Sequence, residues 1–409
     1  MPARRAALVF IFVTVVLDML AFGMVIPLLP KLVLHFEGGD TAHAAAIYGL
    51  FGGVFAGMQF LFAPLLGALS DRFGRRRVIL FSNLSLGLDY VIMALAPSVR
   101  WLLVGRVLSG ICSASFSIPG AYIADVTPKE KRAASFGMLG AAFGLGFVVG
   151  PAFGGVLGHV NPRLPFWVAA GLSLANFLYG FFILPESLPP ERRAPLEWRK
   201  ANPIGALQML RQHPEVLGIA GVVFLSALAH EALPSLWVLY TDYRFGWDTR
   251  TVGLTLAAVG VCSAVVQAGL VGAIVRRFGE RFTLLLGLLF GAAGFAVSGL
   301  AATGWHFGAG IPLVALWGIA GPSAQALMSQ RVDASEQGRL QGAIAGLQGV
   351  SHMIGPVLFT GIFAASVSSR DRLPGSPFLL SALLLVSSFA LAFRVARGRA
   401  SVPVTELRP

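Results

Sequence analysis

Long apolar runs recur from one end of the chain to the other, with short charged breaks between them. A run of about 20 apolar residues is the length that an α-helix needs to cross about 30 Å of hydrocarbon. A membrane barrel instead shows segments of about ten residues in which apolar and polar side chains alternate. The continuous runs therefore predict an all-α integral membrane protein that crosses the bilayer many times.

The composition excludes a soluble enzyme, because only 12% of the residues are charged and 56% are hydrophobic. A soluble domain carries about 25% charged residues. The net charge of +12 does not indicate nucleic-acid binding either, since the basic residues lie in separate breaks between runs rather than on one patch. We expect the lipid bilayer as a partner and no nucleic acid.

Counting the runs predicts 12 transmembrane helices. The first six spans cover about residues 8–29, 45–69, 78–97, 101–123, 134–158 and 164–184. The last six cover about residues 215–240, 251–274, 282–302, 308–329, 340–366 and 376–394. The longest break is rich in proline and charge, and it divides the spans six and six. We therefore predict an N-terminal bundle at residues 1–184, a cytoplasmic linker at 185–213 and a C-terminal bundle at 214–409.

The Lys and Arg residues predict the orientation. With both termini in the cytoplasm, 23 basic residues lie on the cytoplasmic side, 7 lie on the opposite side, and Arg106 lies within a span. Cytoplasmic loops of membrane proteins carry the excess of Lys and Arg. The distribution predicts that both termini are cytoplasmic.

The two halves of the chain also repeat each other. Arg72-Phe73-Gly74 and Arg277-Phe278-Gly279 are 205 residues apart, and Gly150-Pro151 and Gly355-Pro356 have the same offset. Equal spacing of a loop motif and a later helix motif predicts two structurally similar bundles, with a substrate site at their interface near the middle of the membrane. Such a plan is suited to transport by rocking of one bundle against the other.

Three ordered motifs carry a family resemblance. Residues 67–76 resemble the loop 2–3 motif of the major facilitator superfamily, residues 105–110 its span-4 motif, and residues 146–155 its span-5 antiporter motif. Within that superfamily, residues 17–30, 88–90 and 237–247 are similar to those of bacterial tetracycline/proton antiporters. The resemblance covers nearly the whole chain. It implies the two-bundle major facilitator fold in the bacterial inner membrane and proton-coupled export of an amphiphilic, tetracycline-type drug.

The chain departs from that group at two positions. Tetracycline exporters usually carry a His in span 8 and an Asp in span 9, and those positions here are Ser263 and Gly291. Export of another drug or metabolite by the same mechanism is therefore the alternative. A sensor that does not transport, or a membrane enzyme, is a further alternative. It is disfavoured because the sequence has no soluble output domain and no nucleophile, metal or phosphate-binding motif. We expect no enzyme activity, no cofactor and no metal, and a monomer.

Four residues place a formal charge well inside a predicted span: Asp18, Asp89, Arg106 and Glu231. A charge at the bilayer centre costs at least about 2.5–3.5 kcal/mol on insertion scales, so such residues are candidates for function. Asp18, Asp89 and Arg106 are placed to meet in one cavity of the first bundle as a proton-coupling site. The alternative for Asp89 and Arg106 is a structural ion pair.

Glu231 is predicted about two-thirds of the way along span 7, where it is a candidate to replace the missing acid of the second half. The alternative is that span 7 starts later and that Glu231 lies in the outer interface. His352 falls in the middle of span 11, and a lone histidine there is more often a packing residue than a proton carrier.

Other side chains are candidates for cargo binding, for a conformational latch and for an interface between helices. Amphiphilic cargo needs aromatic walls and a few hydrogen-bonding groups. Candidates for that pocket are Gln59, Phe60, Phe116, Gln267, Gln325 and His352. The predicted latch comprises Asp71, Arg72, Arg75, Arg76 and Asp125. Small residues let membrane helices pack closely, and the span-5 candidates for a seal between bundles are Gly146, Gly150, Pro151, Gly154 and Gly155.

Overall fold

The computed structural model describes residues 2–113, 118–128, 131–193, 210, 214–333, 336–369 and 373–395. Its regular secondary structure is helical, and no strand occurs among these residues. The prediction of an all-α fold is confirmed. Most of the predicted linker, and the candidate pocket residue Phe116, lie outside the described residues.

The helices follow the predicted spans in order. In the first half they are Pro2–Val25 and Leu29–Phe36 (span 1), Thr41–Phe73 (span 2), Arg75–Leu95 (span 3), Val99–Cys112 and Ile118–Val126 (span 4), Arg132–Val160 (span 5) and Leu164–Ile183 (span 6). In the second half they are Pro214–His230 and Ala232–Phe245 (span 7), Thr249–Val265 with a π-turn at Val266–Leu270 (span 8), Val271–Leu300, which completes span 8 and forms span 9, Gly304–Trp317 and Ala320–Ser329 (span 10), Gln337–Ser368 (span 11) and Ser376–Val395 (span 12).

Ten helical runs among the described residues are long and apolar enough to cross a membrane, against 12 predicted spans. Span 4 is described as two shorter helices on either side of residues 114–117, which lie outside the described part. Spans 8 and 9 form one run of 52 residues, Thr249–Leu300. A helix of that length would extend about 78 Å, more than twice the hydrocarbon thickness. Gly279 breaks the run with a φ of 78°, so the run holds two spans and the chain fits the 12-helix fold.

Several helices extend beyond their predicted limits. Span 2 begins after Asp40, whose carboxylate accepts a hydrogen bond from the backbone N–H of His43 at 3.0 Å. Span 7 continues to Phe245 and ends at Gly246, which has the left-handed conformation. The predicted limits were too short because hydropathy marks the hydrocarbon region, whereas polar caps and glycines outside it end the helices.

The two halves share a backbone feature at the repeat. Gly74 separates spans 2 and 3 with a φ of 102°, and Gly279, 205 residues later, separates spans 8 and 9 with a φ of 78°. A positive φ is costly for residues with a Cβ, which explains the glycine at both positions. The backbone therefore turns in the same way at equivalent places in the two bundles.

Two pairs of spans form the main contacts between the bundles: span 2 packs on span 11, and span 5 packs on span 8, while span 7 adds contacts with spans 1 and 2. A Cβ built at Gly52 would lie 2.7 Å from the Pro356 side chain, and one built at Gly155 would lie 2.9 Å from the Gly253 Cα. Both prolines of the repeat lie at these interfaces. Pro356 faces Gly52, and the carbonyl of Pro151 faces Gly253. Small residues at these crossings allow the close approach that packing in lipid requires.

The contacts between the bundles lie toward one membrane face. We call the face where span 1 begins the terminal face and the opposite one the distal face. The close approaches involve Gly49 to Phe60 of span 2 and Val148 to Gly155 of span 5, in the distal and middle parts of those helices. On the terminal side, a Cβ at Gly137, Gly140 or Gly144 of span 5 would meet no atom within 4 Å. Among the described residues the close approaches between the bundles are thus distal, and we call the space between the bundles toward the terminal face the interbundle cleft.

Candidate functional site

Asp18 lies in the middle of span 1, and it is buried with 4% of its surface exposed. The side-chain amide of Asn176 on span 6 donates a hydrogen bond to Asp18 Oδ1 at 2.9 Å and another to the carbonyl of Thr14 at 3.1 Å. Sequence reasoning missed Asn176, although an amide in the middle of an apolar span is a signal of the same kind as the acid. The Asn176 amide fixes the position of the Asp18 carboxyl between spans 1 and 6.

Asp89 on span 3 is also buried, and its partner is the hydroxyl of Ser109 on span 4, which donates to Asp89 Oδ2. A Cβ at Gly105 would lie 2.9 Å from Asp89 Oδ1, so the first glycine of the span-4 motif makes room for this carboxyl. The motif therefore brings spans 3 and 4 together around an acid.

Arg106 does not form the ion pair with Asp89 that the sequence left open, since no acid among the described residues lies within 4.0 Å of its guanidinium. The guanidinium instead stacks on the ring of Phe55, 4.2 Å from the ring centroid. Asp18, Asp89 and Arg106 all lie within electrostatic reach of the Tyr90 hydroxyl. The structure thus brings the three charged residues around one tyrosine.

Glu231 lies at the middle of span 7 rather than two-thirds of the way along it, because the helical run Val216–Phe245 extends well past Glu231 on both sides. It is 4% exposed, and the run begins at Val216, so span 7 does not start later as the alternative required. Its Oε1 atom lies 2.7 Å from Nδ1 of His352 on span 11. The two residues, treated separately by the sequence, form one pair.

The remaining pocket candidates have partners of their own. Gln267 donates to the carbonyl of Gly318 at 3.1 Å, and Gln325 donates to the side-chain carbonyl of Gln341 at 2.8 Å. Both bonds stay within the second bundle. Phe60 lies against Gly349 of span 11, where spans 2 and 11 cross, and Gln59 is partly exposed beside it. Of these candidates, Phe60 thus lies at a contact between the bundles.

Comparison with known proteins identifies the family. The model of the Major Facilitator Superfamily matches residues 11–356. The chain belongs to the major facilitator superfamily. The resemblance inferred from the motifs is confirmed, and because members of this superfamily are transporters, the chain is a multi-pass membrane transporter and not an enzyme.

The chain is 40% identical over 367 residues to the class C tetracycline resistance protein of Escherichia coli, covering 90% of this chain and 92% of that protein. It is 32% identical over 368 residues to the hippocampus abundant transcript 1 protein of Homo sapiens, covering 88% and 73%. A bacterial homolog of the human lysosomal transporter Spinster, solved in an inward-facing and unoccupied conformation, has the same fold. The TM-score is 0.78 at 17% identity, with 97% of this chain and 98% of that chain covered.

The superfamily's loop 2–3 motif lies on the terminal face. Arg75 Nη1 is 2.6 Å from Asp71 Oδ1, and Arg75 Nε is 3.2 Å from Asp125 Oδ2 after span 4, as the sequence suggested. Arg76 donates to the carbonyl of Phe181 at 2.5 Å in the last turn of span 6, whereas Arg72 is exposed. Sequence reasoning missed Glu186, which accepts a hydrogen bond from the backbone N–H of Arg75 at 2.9 Å. These contacts all stay within the first bundle and the start of the predicted linker.

The superfamily's span-5 motif has two faces. Gly146, Gly150 and Gly154 pack on span 1 of the same bundle, where a Cβ at Gly150 would lie 2.8 Å from the Gly23 Cα. Gly155 and the carbonyl of Pro151 instead face Gly253 of span 8 in the other bundle, while the Pro151 ring packs on Gly23 of span 1. Of this motif, the Pro151 carbonyl and Gly155 thus lie where the two bundles meet, because residues four apart on a helix share one face.

The two positions at which this chain departs from the tetracycline exporters, Gly291 and Ser263, have different surroundings in the structure. A Cβ at Gly291 would lie 2.7 Å from the Trp317 ring and 2.8 Å from the Leu385 side chain, so span 9 has no space for an acid there. Ser263 is partly exposed on span 8. Among the described residues of the second half, the buried charged side chain is that of Glu231.

Proposed function

We propose that this transporter is a proton-coupled exporter of an amphiphilic, drug-like compound in the bacterial inner membrane, with a tetracycline-type compound as its cargo. The observation that carries the proposal is the buried Asp18 in the middle of span 1, held by Asn176 and near Asp89, Arg106 and Tyr90. The 40% identity to a tetracycline resistance protein supports the choice of cargo. We assign the proton-coupling role to Asp18, Asp89, Arg106 and Glu231, and we take the chain to act as a monomer.

In the proposed cycle, cargo enters the interbundle cleft from the cytoplasm, which the terminal face adjoins if both termini are cytoplasmic. The bundles then rock to open distally, and cargo leaves as an acid takes up a proton. Inward movement of that proton gains about 2.3 kcal/mol per 100 mV of membrane potential, which drives cargo outward. Arg106, which has no acid partner among the described residues, is free to compete for a carboxylate when Asp18 or Asp89 loses its proton.

Replacing Asp18 with Asn tests the coupling, because the amide cannot bind and release a proton. In proteoliposomes, D18N should lose accumulation of tetracycline driven by a proton gradient, yet still exchange tetracycline down its own gradient. The matched control is D40N, which makes the same change at the exposed cap of span 2, where Asn also caps well. If D18N still accumulates cargo from a proton gradient alone, Asp18 is not the obligatory carrier, and Asp89 or Glu231 takes its place.

A second candidate is export of a different drug or metabolite by the same cycle. The observation that favours it is Gly291, whose surroundings leave no room for the acid of the tetracycline exporters. The two candidates are separated by growth of a drug-sensitive bacterial host that expresses this chain, tested on a panel of compounds that includes tetracyclines. Resistance to tetracyclines supports the first candidate, and resistance confined to other compounds supports the second.

A further inference from the structure

Glu231, a buried acid of the second bundle, is paired with a histidine that is half exposed. The Glu231 carboxylate is 5% exposed, and its Oε1 atom is 2.7 Å from Nδ1 of His352. The His352 side chain is 50% exposed although it lies near the middle of span 11. Gly355, one turn further along span 11, makes room for the Glu231 side chain, because a Cβ there would overlap it. The structure thus has a built pocket for this carboxylate, closed by one exposed imidazole.

Several titratable side chains besides His352 lie near Glu231. His230, the preceding residue, is exposed and stacks near Trp317 of span 10, with ring centroids 5.5 Å apart. Tyr48 of span 2 lies within electrostatic reach of both Glu231 and Arg106, and its hydroxyl is 3.5 Å from the carbonyl of Pro234. The carboxylate and the Arg106 guanidinium therefore lie on opposite sides of the bundle interface.

A carboxylate buried in a membrane protein needs a cation or a proton. His352 provides a cation only while it is protonated, and histidine gains and loses its proton near physiological pH. When the imidazole is neutral, an ammonium or similar group from the cleft is a better partner for Glu231. Phe60 and Trp317 lie close by as aromatic surface for the apolar part of such a ligand and for its charge.

We propose that Glu231 and His352 form the subsite that binds the positively charged group of the cargo, with the cargo cation and the His352 proton competing for the Glu231 carboxylate. This inference rests on the proposed function, because it names the class of cargo as cationic or zwitterionic amphiphiles. The subsite would also make binding of a proton and binding of cargo mutually exclusive in the second bundle, which lacks the usual span-8 His and span-9 Asp.

The experiment uses two probes of nearly the same shape and opposite charge, tetraphenylphosphonium and tetraphenylborate. Equilibrium binding to the full chain in detergent is measured without any ion gradient, so the result is independent of proton coupling. Wild-type protein should bind the cation and discriminate against the anion. E231Q should weaken binding of tetraphenylphosphonium about tenfold or more, since the interaction lost is one between charged groups. The matched control is E37Q, which alters another Glu–His pair, with His43 at 3.3 Å, on the distal surface.

A second variant separates cargo binding from a structural role of the pair. H352Q removes the competing cation and keeps Glu231, so it should bind tetraphenylphosphonium at least as tightly as wild type. Lowering the pH should weaken binding in wild type more than in H352Q, because protonated His352 occupies the carboxylate.

Equal binding of the two probes, no binding of either, or equal losses in E231Q and E37Q would overturn the subsite. A loss in H352Q as large as that in E231Q would also overturn it, because the pair would then be structural. Failure of the proposed function would give a different result. The transport assay would then show no proton-driven accumulation, while binding of tetraphenylphosphonium would be unchanged.

Discussion

At the scale of single residues, the charged groups on the terminal face form a local network. Arg75 contacts both Asp71 and Asp125, and its guanidinium also donates to the Ser70 hydroxyl at 2.6 Å. Asp71 is nearly half exposed at the end of span 2, whereas the carboxyls of Asp18 and Asp89 are buried in the membrane. The network therefore links spans 2, 3 and 4 of one bundle on the terminal face.

Because Asp71 lies at the end of span 2, away from the buried acids, we expect its replacement to impair transport and to leave cargo binding nearly unchanged. In D71N the side chain keeps its shape but loses the charge that holds Arg75, so the rocking step should fail while the cargo site stays intact. We expect export to fall about tenfold or more and equilibrium binding of cargo to change less than about twofold. D333N makes the same change at an exposed acid on the same face and should export as wild type does. A large loss of binding in D71N would place Asp71 within the cargo site.

At the scale of elements, polar contacts on the distal face hold the two bundles together. Lys31, after the bend in span 1, lies 2.8 Å from Asp242 Oδ1 at the end of span 7 and donates to the carbonyl of Trp247 at 2.7 Å. His159 at the end of span 5 lies 3.4 Å from Asp248, which caps span 8. The pKa of the Asp248 carboxyl lies below its usual value because the side chain and backbone N–H of Thr251 donate hydrogen bonds to it. Asp248 therefore stays charged opposite His159.

Removing the Lys31 charge should favour the conformation in which the distal face is open. A partly exposed ion pair contributes up to about 1 kcal/mol, so K31Q should shift the ratio of the two conformations by up to about fivefold. Spin labels on cysteines introduced at His43 and Arg250, with Cys112 and Cys262 replaced by Ser, report the distance between the bundles. R100Q, a change at an exposed basic residue on the same face, is the control. An unchanged distance distribution in K31Q would show that Lys31 does not hold the face shut.

At the scale of the whole molecule, the repeat gives two similar bundles whose four crossing helices meet in the pairs 2–11 and 5–8. Because the close contacts lie distally, this conformation opens toward the terminal face. Which compartment that face adjoins depends on the orientation of the chain, which the excess of 23 over 7 basic residues predicts.

Reporter fusions test the orientation. Alkaline phosphatase joined after about residue 40 should be active, because it would lie outside the cytoplasm, and joined after about residue 200 or 400 it should be inactive. Green fluorescent protein at the same three positions should give the complementary pattern, which controls for expression. A phosphatase signal after residue 200 contradicts the predicted topology.

The sequence alone determined the spans, the repeat and the buried charges, because each of these is a local property. A run of about 20 apolar residues marks a membrane span wherever it lies in the chain, and the equal spacing of Gly74 and Gly279 in the two halves is visible in the sequence itself. Asp18 and Glu231 could be found as candidates because a charge inside an apolar run is conspicuous wherever its helix packs.

Only the tertiary structure decided which side chains meet. The sequence allowed Arg106 as the partner of Asp89, whereas Ser109 is the partner found. Glu231 and His352 are 121 residues apart, and nothing in either segment indicates that they pair. Such pairings depend on how each helix is rotated about its axis and how far it slides along its neighbours. In lipid, close packing of small residues from distant parts of the chain sets both, so hydropathy along the sequence does not determine them.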